Sequence, residues 1–397
     1  MLSSTIISVL LAVTSVAEAT SVAEPVEAIE AVQSLTRPDT STSSVTVQND
    51  KANVPVAEDT STGSVTVLNG QTNVPATEGT STGSVTVQND QANAPAAEGT
   101  STSSVTGMAV EVTSTSSVTE AAGVKDRCER FTMRDQGLER EYYLYRPEGL
   151  KEGAPLVIVL HGYGGSALKG KKEMMDVADR NGFAVCYPQG IEDPKGKPGW
   201  NVRYPSQEGM KIDDVKFIIT LSKELQKKFS LSAKNTFLTG MSNGGDIIYL
   251  IAMRAPKAFK AMASIAGLQF SWMETEYSYK HPLPFMEVHG TQDRVSEWLG
   301  DPENKGGWGA YIPVPAAVAR IIAVNGCTEE YVTELPRREG RNQVTLYQFK
   351  GGKPAVKGGK PTEVWLYKVE GGDHSWSDKD LDTCSEIWRF FSQWLEM

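Results

Sequence analysis

The sequence predicts an α/β fold built on a mostly parallel sheet and confined to residues 125–397. Three observations carry that prediction. Short apolar, β-branched runs alternate with longer segments of helical periodicity along this part of the chain, the pattern of strands joined by crossover helices. Its length suits one hydrophobic core. Everything before Phe131 lacks Phe, Tyr and Trp, so the first third has no material for such a core.

The elements follow in order. Phe131 to Arg146 alternates as a hairpin turning near Asp135-Gln136-Gly137. A strand at Leu156–Leu160 precedes a helix from about Leu168 to Asn181, which Asn181-Gly182 closes as a C-cap. The strand Phe183–Tyr187 enters a long loop punctuated by Pro188, Gly190, Pro194, Gly196, Pro198 and Gly199. Ile212 to Phe229 sets Ile212, Val215, Ile218, Ile219 and Leu225 on one helical face. The run from Asn235 is a strand, and strands at Ala261–Ile265 and Leu283–Val288 follow. A helix over Val314–Val324, strands at Val344–Phe349 and Val364–Val369, and a last helix with Leu381, Cys384, Trp388, Phe391 and Leu395 at helical spacing complete the fold.

Chemistry concentrates where the strand at Asn235 meets Gly240-Met241-Ser242-Asn243-Gly244 and a helical segment follows. This is G-x-S-x-G in strand-turn-helix context, the pattern that holds a nucleophilic serine on a sharp turn in α/β-hydrolases, with glycines relieving the contacts a Cβ would make. In that fold the partners follow as acid, then histidine. The chain has four histidines. His161 precedes Ser242, His289 lies inside a strand, and His281 stands before that strand beside Pro282, which leaves His374, on the loop after Val364–Val369. Asp293, four residues past His289 at the turn closing its strand, is the candidate acid, with Glu297 and Asp301 in reserve. The expected oxyanion donors are the backbone N–H of Asn243 and that of Tyr163, in the glycine-rich turn after Leu156–Leu160. His161 is read as structural.

The amino-terminal part is of another kind. Residues 1–19 carry an apolar core from Ile6 to Val13 and Ala17-Glu18-Ala19 before Thr20, a signal-peptide pattern too short to span a bilayer, although no Lys or Arg precedes the core. Residues 20–124 form a Ser/Thr-rich, low-complexity linker containing a 20-residue repeat that starts at Asp39, Asp59 and Gly79 and is truncated after Gly99. Its apolar positions are almost all Val and Ala, with no leucine ladder or aromatics, so a disordered spacer is expected rather than a stacked solenoid. Such composition suits an O-glycosylated or wall-associated stalk. Residues 1–124 hold 13 acidic and two basic side chains, leaving 37 of the 39 basic and 36 of the 49 acidic groups to the rest. The net charge of −10 therefore belongs to the tail and says nothing of a substrate. No basic stripe interleaved with aromatics suggests nucleic acid, and no membrane association is expected.

Cys128, Cys186, Cys327 and Cys384 fit no zinc spacing. In a secreted protein one or two disulfides are compatible with them, in three complete pairings. Free core thiols fit equally, Cys186 as a buried strand residue and Cys384 on the apolar face of the last helix. Neither a metal nor an organic cofactor is expected.

Taken together, LHGYGG, WNVRYPS, DDVKFIITL, TGMSNGGD, HGTQDRV and EGGDHSW resemble the secreted esterases that include polyhydroxybutyrate depolymerases and feruloyl or acetylxylan esterases. The resemblance runs from about Arg140 onward and implies an α/β-hydrolase fold with Ser242, Asp293 and His374 as nucleophile, acid and base. Two local sequences depart from the family's habit: Gly371-Gly372-Asp373-His374-Ser375-Trp376-Ser377 where Gly-Gly-Gly-His-x-Trp-Pro is common, and Ser296-Glu297-Trp298 after Val295 where Val-Pro is common. The stretch Glu297 to Gly309 is similar to members acting on plant cell walls, which implies feruloyl or acetyl esters of xylan as substrate. On that analogy Trp200, Trp298, Trp308 and Trp376 are candidates for an aromatic platform, each with the alternative of simply filling its loop. Polyester depolymerisation and a non-catalytic, wall-associated binding protein on a hydrolase scaffold are the other readings.

Overall fold

The structure, a computed structural model, describes residues 124–396. The expected leader over 1–19 and the repeat linker, up to residue 123, lie outside the described residues. After a short helix α1 (Val124–Arg127), a hairpin of β1 (Glu129–Asp135) and β2 (Leu138–Tyr145) turns at Gln136-Gly137. Then come β3 (Leu156–Leu160), α2 (Glu173–Asn181), β4 (Ala184–Pro188), the two-residue strands β5 (Ile191–Glu192) and β6 (Pro198–Gly199), and α3 (Asp214–Lys228). The second half runs β7 (Thr236–Met241), α4 (Asn243–Arg254), β8 (Met262–Ile265), α5 (Ser271–Glu276), β9 (Phe285–Gly290), α6 (Val314–Asn325), β10 (Glu329–Glu334), β11 (Val344–Lys350), β12 (Val364–Val369) and α7 (Thr383–Ser392).

Ten strands form one sheet in the order β1-β2-β4-β3-β7-β8-β9-β12-β11-β10. The six from β4 to β12 in this order are mutually parallel, and antiparallel pairs close both edges. This is an α/β-hydrolase sheet. Alternation on β3 shows how it is covered: Leu156, Ile158 and Leu160 enter one core with residues of α3, α4 and α6, whereas Val157 and Val159 enter the other with residues of α2 and α7. Because both faces are buried, the central strands read as unbroken apolar runs.

An ion pair pins one corner. Arg140 Nη2 lies 2.8 Å from Asp214 Oδ1 with both side chains buried, the guanidinium stacks 3.6 Å over Phe217, and Asp214 Oδ2 accepts from Asn201 N–H. The first residue of α3 is thereby tied to β2 and to the loop after β6.

Several boundaries differ from expectation. The helix expected over 168–181 is split into a 3₁₀ turn at Ala167–Lys169 and α2. Between them Gly170 leaves the helical region, with ψ 167°, where an added Cβ would lie 2.6 Å from Tyr187 Cδ1. Neither α5 nor β10 was anticipated. The four cysteines stand as free thiols, so no disulfide pairing is realised. Cys186 and Cys384 are buried, as their positions implied, and Cys128 Sγ lies 3.6 Å from Met175 Sδ.

Candidate active site

Ser242 sits between β7 and α4 with φ 56° and ψ −125°, a conformation an L-residue holds only when its surroundings impose it. Its N–H donates to the Ile265 carbonyl at the end of β8, and its carbonyl accepts from Asp246 N–H, both at 2.8 Å. A Cβ at Gly240 would meet the Gly244 carbonyl at 2.7 Å and Leu160 Cβ at 2.8 Å. Glycine there lets the turn close on β3.

The loops after β9 and β12 come together because those strands are parallel neighbours. Gln292 N–H donates to the Gly372 carbonyl, Thr291 N–H to the Val369 carbonyl, and Gly371 N–H to Thr291 Oγ1. Gly290 is where the loops touch: an added Cβ would lie 2.2 Å from the Gly372 carbonyl oxygen. Within this frame His374 Nδ1 is 2.7 Å from Asp293 Oδ2, and His374 Nε2 is 3.0 Å from Ser242 Oγ across 132 positions of sequence. The other carboxylate oxygen, Asp293 Oδ1, accepts from the N–H groups of Val295 and Ser296, each at 2.8 Å. Burial alone would raise the Asp293 carboxyl, but the hydrogen bond and charge of His374, with Ser296 N–H, hold it below its ordinary value. Asp293 is therefore an anion facing the imidazole. Of the reserves, Glu297 has no bond to His374 among the described contacts, and Asp301 accepts from Lys305 and Gly306 N–H instead.

Opposite the imidazole, Gly162 lies against Ser242, whose Cβ and Oγ would be 3.2 and 3.7 Å from a Cβ placed there. The next residue is Tyr163, whose N–H has no acceptor among the described residues. Asn243 opens α4, so its N–H lacks a helical acceptor. These are the two groups expected to hold an oxyanion. Tyr163 is itself fixed, with Oη donating to Asp193 Oδ2 at 2.5 Å and lying 3.0 Å from Ser206 Oγ. His161 is structural. Its Nδ1–H donates to the Gly162 carbonyl, its Nε2 accepts from Gly190 N–H, and desolvation pushes its pKa down despite the first of these bonds.

Residues 140–287 match the family whose description is Esterase PHB depolymerase. The matched span includes Tyr163, Ser242 and Asn243, and ends six residues before Asp293. Among similar proteins, a bifunctional acetylxylan esterase/xylanase of Neocallimastix patriciarum is 26% identical over 66% of this chain and 34% of its own length. A feruloyl esterase B of Thermothelomyces thermophilus is 28% identical over 40% of this chain and 55% of its own. The chain thus spans between a third and just over half the length of these curated relatives. An acetyl xylan esterase structure from Aspergillus awamori aligns over 65% of this chain and 99% of its own, at 15% identity and a TM-score of 0.45.

The four tryptophans near the candidate site have different surroundings. Trp200 is wholly buried, which removes it from any substrate platform. Its Nε1–H donates to the His161 carbonyl, while its backbone N–H and carbonyl pair with Asn243 Oδ1 and Nδ2 at 2.7 and 3.0 Å. An apolar ring between two glycine-rich loops was more useful to the core than to a ligand. Trp308 is half-buried, edge-on to Tyr163 at 5.7 Å and tilted against Tyr204 at 5.2 Å. Trp298, also half-buried, meets the His289 ring at 6.0 Å. Trp376 borders a small cavity of about 120 Å³ that His161, Gly162 and Lys171 also line. Sequence reasoning treated His289 and Glu287 only as strand residues and passed over Tyr204 and Asp246. Their signal was present, since charged groups within an otherwise apolar parallel strand or a buried helix must be paired.

Proposed function

We propose that this chain is a secreted serine carboxylesterase that removes feruloyl or acetyl groups from plant cell-wall xylan, with residues 125–397 as the hydrolase domain. The observation that carries the chemistry is the unbroken line from Ser242 Oγ through His374 to Asp293, at 3.0 and 2.7 Å. A serine hydroxyl is a weak nucleophile until a base removes its proton, and that spacing is hydrogen-bond reach. In the proposed cycle His374 Nε2 takes the proton from Ser242 as its oxygen attacks the ester carbonyl. The tetrahedral oxyanion lies toward the N–H groups of Tyr163 and Asn243. Collapse expels the alcohol, which receives the proton from His374. Water then attacks the acyl-serine while His374 again removes a proton, releasing the acid and restoring Ser242. Asp293 holds the imidazole in the tautomer with Nδ1–H and stabilises the imidazolium.

The substrate class rests on similarity to proteins named acetylxylan esterase and feruloyl esterase. Secretion rests on the leader pattern of residues 1–19, and a spacer role for the repeats on their composition. The family description favours a second reading, polyester depolymerisation. Acetate release from acetylxylan, ferulate release from methyl ferulate or bran, and clearing of a polyester film, measured side by side, rank the three substrates. Turnover of p-nitrophenyl acetate that is abolished in Ser242→Ala excludes a scaffold-only binding protein, whereas turnover unchanged in that variant refutes the mechanism.

A further inference from the structure

Behind the candidate site lies a second imidazole that the cycle does not use. His289, on β9, is wholly buried, and acceptors face both of its ring nitrogens. Nε2 lies 2.7 Å from the Ser296 carbonyl, which can only accept, so Nε2 carries a hydrogen. Nδ1 lies 3.0 Å from Glu287 Oε1. That carboxylate already accepts from Tyr249 Oη through Oε2 and is approached by Gly267 N–H at 3.4 Å through Oε1. Burial pushes the Glu287 carboxyl up, but the His289 ring and the Tyr249 hydroxyl oppose that rise, and with donors at both carboxylate oxygens the proton between Glu287 and His289 is placed on the ring. Burial opposes the charged ring, but its hydrogen bond to Glu287 and that carboxylate's charge outweigh burial and raise its pKa.

The other groups facing His289 are few. Asp293 Oδ2, the oxygen bonded to His374, is 3.7 Å from His289 Nε2. Asp246 on α4 acts at longer range, with its carboxyl pushed up to about 8 by burial. The edge of Trp298 closes the remaining side. Ser296 is the link: its carbonyl accepts from His289 while its N–H donates to Asp293 Oδ1.

We infer that His289, paired with Glu287, is a positioning residue of the esterase site: a fixed buried cation that pins the Asp293–Ser296 turn and tempers the charge of the acid. This rests on Asp293 being the acid of the proposed mechanism. That cation lies beside the same carboxylate oxygen that faces His374, so removing its charge is expected to change the pH dependence of the proposed reaction.

His289→Gln tests this, because glutamine can still donate to Ser296 but carries no charge. The expected outcome is a kcat about tenfold lower, a KM close to wild type, and an acid limb of kcat/KM moved to higher pH by about half a unit. A merely structural role lowers activity without moving that limb. The second measurement needs no variant and no turnover. With four histidines in the chain, the ¹⁵N spectrum of the full-length protein at pH 7.5 separates the imidazole signals, and His289 is expected with both nitrogens protonated. An unmoved acid limb in a variant with wild-type Tm, or a neutral His289 ring in that spectrum, overturns the inference. Absence of ester turnover in the wild-type protein would instead refute the proposed function, with the spectrum still deciding the charge on His289.

Discussion

Replacing Asp293 by asparagine isolates the tautomer of His374 from every other property of the site. The two carboxylate oxygens have different surroundings. Oδ1 accepts two backbone N–H groups, from Val295 and Ser296, while Oδ2 meets His374 Nδ1. An asparagine has one oxygen and one NH₂, and two fixed donors at the first position oblige the oxygen to sit there. The NH₂ then points at His374 Nδ1, which can accept only in the tautomer whose hydrogen is on Nε2. That hydrogen faces Ser242 Oγ, 3.0 Å away, and the base has become a donor. Size and the backbone bonds are conserved, so the fold should be little changed. The same substitution in the chymotrypsin-type triad lowers kcat about 10⁴-fold. A loss of roughly 10³ to 10⁴ is expected here, about 4 to 5.5 kcal/mol of transition-state stabilisation. Initial rates of p-nitrophenyl acetate hydrolysis at pH 7.5 measure it, with thermal unfolding as control. A folded Asp293→Asn protein within tenfold of wild-type kcat would refute the tautomer argument.

Two further outcomes follow from the same coordinates. Gly290→Ala places a methyl 2.2 Å from the Gly372 carbonyl and can be accommodated only by separating the acid and base loops; kcat should fall at least about 100-fold, with destabilisation of about 1–3 kcal/mol read from urea unfolding. Asp246 is buried, accepts from Leu268 N–H and Tyr204 Oη, and has its pKa raised from 3.8 to about 8 by burial. A carboxyl with a raised folded-state pKa binds its proton more tightly when folded, so its contribution is complete below pH 4 and is lost as pH rises toward 8. Asp246→Asn should flatten that part of the stability profile; a wild-type slope between pH 4 and 8 in the variant rules out this assignment.

The parts of the fold legible in the sequence were those with a strong local pattern. The central strands are continuous apolar runs, α3 has a clean apolar face, and the elbow combines two glycines with a strand and a helix, so Ser242, His374 and Asp293 could be ordered before any geometry was known. β10 was not legible. Its sequence, Glu329-Glu330-Tyr331-Val332-Thr333-Glu334, is mostly exposed and charged because it is an edge strand with one partner, and edge strands carry charge where central ones carry Val and Ile. The break before α2 was hidden because the ring that Gly170 packs against, Tyr187, lies on the next strand. Trp200 was misread because a tryptophan in a Gly/Pro-rich loop looks exposed on composition, and only the folded loop shows its indole closing over His161. Glu287 and His289 were signalled as titratable groups at alternate positions of an apolar strand, but only the fold shows the loop of Asp293 and Ser296 closing over them.

The order of strands around β12 has a consequence for how the site comes into being. β10, β11 and β12 follow one another as an antiparallel meander whose pairings are close in sequence, whereas β12 joins the rest of the sheet along a single seam with β9. The acid stands on one side of that seam and the base on the other. Local pairings form readily and distant ones late, so the meander can be complete while the imidazole is still without its carboxylate. The proposed hydrolysis would then report closure of the seam itself, and damage confined to it would abolish that activity while most of the secondary structure survived.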